Sequence, residues 1–103
     1  MRQVIQNKET LVSQLLAHGS EIRSFGVSKL SIFGSFAKNR PGNDSDVDFL
    51  VEFDAGKKNY DNFMELSFYL EDLLDREVEL VTPESLSRHI GPHILKQAEN
   101  VAI

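Results

Sequence analysis

The chain has 103 residues, no cysteine, 41% hydrophobic and 26% charged residues, and 11 Lys+Arg against 16 Asp+Glu, a formal net charge of −5. These figures predict one small globular domain over residues 1–103 in a reducing, cytoplasmic setting, and they exclude a disulfide framework, a thiolate zinc site and a cysteine nucleophile. A pI near 5.1 argues against direct binding of nucleic acid through its phosphates, and no apolar run is long enough for a membrane span or a secretory leader.

In chain order, Val4, Ile5, Leu11, Val12, Leu15 and Leu16 recur at helical spacing over about residues 3–18, and Gly19 is placed to stop that helix. A short second helical turn is expected over residues 20–25, with Ile22 and Phe25 facing inward. Residues 27–33 (VSKLSIF) read as a strand that Gly34 ends, with Leu30 and Ile32 on the face opposite Ser31 and Phe33. Residues 39–45 (NRPGNDS) carry turn chemistry, and residues 46–53 (DVDFLVEF) alternate as a second strand. Val47, Phe49, Val51 and Phe53 point one way, and Asp46, Asp48, Leu50 and Glu52 the other.

Phe63, Leu66, Leu70, Leu73 and Leu74 predict a helix over residues 59–75, capped by Asn59 or Asp61. Residues 77–81 (EVELV) form a short third strand, and residues 84–87 and 92–99 read as helical pieces. Strand, helix and strand over residues 46–81 make a βαβ unit with parallel strands, whereas the shorter connection between the first two strands permits an antiparallel pair. The predicted fold class is α/β or α+β, a small mixed sheet of about three strands covered by helices.

Chemistry concentrates in residues 30–53, LSIFGSFAKNRPGNDSDVDFLVEF. Asp46 and Asp48 lie two apart on one strand face, with Cα atoms ~6–7 Å apart, so their carboxylates can converge in front of the sheet. Two like charges this close raise one another's pKa unless a cation lies between them, and hard oxygen ligands suit magnesium or manganese. An antiparallel first pair sets Gly34 and Ser35 beside Asp46. Gly34 permits close backbone approach, Ser35 adds a hydroxyl, and the N–H groups opening the next helix favour an anion. Glu79, if the third strand neighbours the second, supplies a third carboxylate, with Glu77 on the same face and Val78 and Leu80 left for the core. Such a set suits two-metal phosphoryl transfer.

Gly34-Ser35, ten intervening residues, then Asp46-x-Asp48 and an apolar strand resemble the motif of the DNA polymerase β-like nucleotidyltransferase superfamily. The whole chain resembles its minimal members, the MNT proteins that pair with HEPN proteins. The resemblance implies a nucleotidyltransferase, polymerase β palm-like fold, with Asp46, Asp48 and Glu79 as catalytic metal ligands for two Mg²⁺ ions. It assigns Gly34 and Ser35 to the triphosphate of ATP, the co-substrate, and Ser45 and Arg40 are further candidates for nucleotide binding. Glu79 departs from the family, where Asp is more usual, and VTPESL after it is supportive. The implied activity is transfer of AMP from ATP to a hydroxyl, that of a tyrosine, on a cognate HEPN ribonuclease toxin. In that heteromeric complex the chain is the neutralising antitoxin, which fits a chain too short to carry its own acceptor domain.

Plainer readings stand beside this one. Alternate acids on a strand of an acidic protein can simply keep one face wet; Gly34-Ser35 at the matching spacing favours the metal site. Lys38 and Arg40 read as ordinary loop cations that could steer ATP. His18, His89 and His93 have no spacing for a base or a zinc set. Of Tyr60, Phe63, Phe68 and Tyr69, Phe63 is assigned to the core and the rest to its margin, where an exposed part would mark a partner interface. Two rival functions remain in other classes: a catalytically silent antitoxin that acts by binding, and a nucleotidyltransferase for a small hydroxylated molecule.

Overall fold

The computed structural model describes residues 7–38 and 46–103. The first helix, α1 (Lys8–Ala17), is capped by Asn7, which is extended and whose side chain accepts the Thr10 N–H at 2.8 Å, while Val4 and Ile5 of the expected helix lie outside the described residues. Gly19 does not leave a gap after α1. It opens α2 (Gly19–Arg23) directly, and its bare Cα lies where a side chain would crowd the Ile103 backbone. Ile22 is fully buried and Phe25 packs at the core margin, its ring 5.3 Å from that of Tyr69.

Strand β1 (Val27–Phe33) runs directly into α3 (Gly34–Ala37), a single turn. The predicted turn over residues 39–45 lies outside the described residues. Strand β2 (Val47–Phe53) pairs antiparallel with β1, joining Ile32 to Phe49 and Phe33 to Asp48, with a bulge between Val27 and Lys29. Helix α4 (Tyr60–Leu74) is capped by Asn59, whose Oδ1 accepts the Asn62 N–H at 2.8 Å, and it buries Leu66, Leu70 and Leu74. Each such leucine contributes roughly 1.5–3 kcal/mol by leaving water.

Strand β3 (Val78–Val81) lies parallel to β2, as a crossover through α4 requires. A 3-10 turn (Pro83–Ser85) and α5 (Gly91–Gln97) follow. The predicted helical piece over residues 92–99 ends early: Ala98 turns extended, and Glu99 enters a fourth strand, β4 (Glu99–Val101), which pairs antiparallel with β1. Three residues carry no alternation to read; β4 exists because β1 has a free edge and Val101 a buried place beside Leu30. An ion pair between Lys8 and Glu99 ties α1 to it.

The sheet order is β3-β2-β1-β4, a small mixed sheet within an α/β chain. One face, with Leu30, Ile32, Val47, Phe49 and Val51, is fully buried with the leucines of α1 and α4. On the other face Leu50 is also buried, where the 3-10 turn lies against β2, while the Asp48 end is more open. Among the described residues no helix is long and apolar enough to cross a membrane.

Candidate active site

Val47 is fully buried, and this pins the alternation at the head of β2 so that Asp46 and Asp48 take the opposite, open face. Asp46 is exposed and Asp48 half-buried. The antiparallel register sets Phe33 against Asp48, so the next residue, Gly34, passes directly beside that carboxylate. Gly34 has φ +75, in the left-handed region, and any Cβ there would overlap Oδ2 of Asp48. Backbone conformation and close approach therefore both demand glycine at this position. Ser35 follows within α3, half-buried.

The third strand completes the group. The parallel register sets Glu79 opposite Asp48, while the Glu77 carbonyl accepts the Val47 N–H at 3.0 Å and locks β3 to the start of β2. A slip by two residues would have offered Glu77 instead; the register selects Glu79. Gly34, Ser35, Asp46, Asp48 and Glu79 are thus gathered at one end of the sheet, on elements from three parts of the chain. Arg40 and Ser45 lie outside the described residues, and Lys38 is exposed just after α3.

Burial, a hydrogen bond to Glu79, and repulsion from Glu79 and Asp46 push the Asp48 carboxyl up from 3.8 to about 6. Three carboxyl groups thus compete for negative charge at one point, which a hard divalent cation would relieve. The donors, all carboxylate oxygens without imidazole or thiolate, have the chemistry that suits magnesium or manganese. Among the described residues no three such groups are already closed into a cage; Asp48 instead hydrogen-bonds Glu79.

Of the three histidines, His18 Nδ1 lies 3.0 Å from the Gln14 carbonyl, and His89 and His93 are exposed. Of the aromatic set, Phe63 and Tyr69 pack on the core, whereas Tyr60 and Phe68 are exposed. One contact near the site has no counterpart in the sequence pattern. Arg76, after α4, lies with its Cζ 5.1 Å from the centre of the buried Phe36 ring of α3. Nothing in local spacing couples these two residues; only the parallel return of β3 brings them together.

Comparison with known proteins identifies the family and the fold. Residues 12–103 match the nucleotidyltransferase domain family. The chain is 40% identical over 90 residues to protein adenylyltransferase MntA of Thermococcus cleftensis, covering 86% of this chain and 90% of that one. A solved structure provisionally named a minimal nucleotidyltransferase superposes with a TM-score of 0.79 at 30% identity, over 90% of this chain and 94% of the other. The fold also matches a structure described as a tri-AMPylated Shewanella oneidensis HEPN toxin in complex with MNT antitoxin, with a TM-score of 0.64 at 19% identity over 91% of this chain and 71% of that one. The chain belongs to the nucleotidyltransferase domain family and has the fold of its minimal members.

Proposed function

We propose that the chain is an antitoxin adenylyltransferase that transfers AMP from ATP to a hydroxyl, that of a tyrosine, on a HEPN ribonuclease toxin with which it forms a complex. The observation that carries the reading is the packing of Gly34 against Asp48, in register with Glu79: a bare backbone turn meets a carboxylate group on one open sheet end. The name of the Thermococcus relative, and the toxin complex in which the shared fold recurs, supply the acceptor class.

In this mechanism the Gly34-Ser35 turn receives the triphosphate, with the bare Gly34 letting that turn stand against the Asp48 carboxylate and the Ser35 hydroxyl donating to a phosphate oxygen. Asp46, Asp48 and Glu79 would hold divalent magnesium, which when bound neutralises phosphate charge and orients the leaving group. The acceptor oxygen bonds to the α-phosphorus as the bond from that phosphorus to the bridging oxygen breaks. Pyrophosphate leaves, and the hydroxyl proton passes to the Glu79 carboxylate. Positioning of the hydroxyl falls to the partner that carries it.

Purified protein, a HEPN-type partner encoded beside it and labelled ATP test the reading. Label moves to the partner with wild type and not with Asp48→Ala, which stays folded. Full transfer by Asp48→Ala contradicts the assigned chemistry, and label on a small hydroxylated acceptor alone contradicts the assigned substrate.

A further inference from the structure

We propose that Arg76 is a positioning residue for nucleotide binding: its guanidinium, set over the Phe36 ring, holds the one-turn helix that carries Gly34 and Ser35. This role rests on the nucleotidyl-transfer reading above and adds a residue to it. Helix α3 has four residues and no side-chain cap at Phe33, so it cannot hold its own shape and must be fixed by packing. Its anchor is Phe36, fully buried, with Arg76 Cζ 5.1 Å from the ring centre.

Arg76 is itself held in place from both sides. Helix α4 ends at Leu74, Asp75 turns the chain in the left-handed conformation at φ 53, and the Glu77 carbonyl is bonded to the Val47 N–H at 3.0 Å, one residue from Asp46. The guanidinium therefore joins the elements that bring Asp46, Glu79 and Gly34 together, through its contact with the buried Phe36 ring. A planar, delocalised cation suits this contact better than an ammonium, because it stacks on the ring face and sheds water at lower cost.

The test measures binding of a non-hydrolysable ATP analogue, and KM and kcat for ATP, at a temperature where circular dichroism shows each variant folded. Arg76→Gln is expected to raise the Kd and the KM for nucleotide about 3- to 30-fold, the span of a partly to fully desolvated cation–ring contact, with kcat at saturating ATP unchanged. Arg76→Lys falls between the two. Phe36→Leu weakens binding as well, and the loss in the double variant is smaller than the product of the two single losses, since the guanidinium–ring contact is common to both. A Kd for Arg76→Gln within about twofold of wild type, or losses that multiply in the double variant, overturns the role. If Arg76→Gln does not fold, Arg76→Lys decides: weaker binding with unchanged kcat supports the role, and unchanged binding overturns it. Failure of the wild-type chain to bind the analogue at all overturns the nucleotidyl-transfer reading and this role with it.

Discussion

At the scale of single residues, Asp48 and Gly34 hold the account together. The Asp48 carboxyl is raised from 3.8 to about 6, so between these values the folded chain retains a proton that the unfolded chain releases. This term favours folding most below about pH 4, and the advantage is lost as pH rises through about 6. In chelator, Asp48→Asn is therefore expected to be more stable than wild type at pH 8 by on the order of 1 kcal/mol, after allowing for the solvent that reaches this half-buried group. Urea unfolding reads the difference, which should vanish at pH 4; magnesium should raise the wild-type midpoint and not that of Asp48→Asn. Gly34→Ala places a Cβ on Asp48 Oδ2 at a positive φ. It should cost about 1–2 kcal/mol in urea unfolding and about a hundredfold in transfer rate, because it displaces the turn from the carboxylate. Much of this was legible beforehand: alternation about Val47 puts Asp46 and Asp48 on one face, and an antiparallel hairpin puts Gly34 beside them. The positive φ and the overlap at Oδ2 needed coordinates.

At the scale of elements, helix α4 and strand β3 show where sequence periodicity succeeds and where it stops. The leucine spacing and the Asn59 cap define α4 closely, because local hydrogen bonds and one buried stripe decide that helix. Its exit is less ordinary. Asp75 adopts φ 53, a conformation that glycine takes without strain and alanine does not. Comparing Asp75→Gly with Asp75→Ala removes the same side chain twice and leaves the backbone cost, so the glycine variant should be more stable by about 1 kcal/mol in urea unfolding. Equal midpoints would mean that the turn relaxes without penalty. Strand β4 was not legible, because three residues paired to an edge owe their form to β1 rather than to a pattern of their own. The same holds for Arg76 and Phe36: their contact is made by topology, and no window along the chain contains both.

At the scale of the molecule, the four-stranded sheet gathers Asp46, Asp48, Glu79 and Gly34 at one end. Tyr60 and Phe68 of α4 are exposed, and the proposed function assigns catalysis to the sheet end rather than to them. Under the proposed function, chemistry and neutralisation of the partner are one event, and an experiment that separates them decides between enzyme and binder. The measurement is the intact mass of the HEPN-type partner after co-expression with the wild-type chain and with the Asp46→Ala/Asp48→Ala variant. A gain of one or more AMP units with wild type alone is the predicted result; a partner that is unmodified, yet bound and silenced equally by both forms, would contradict it.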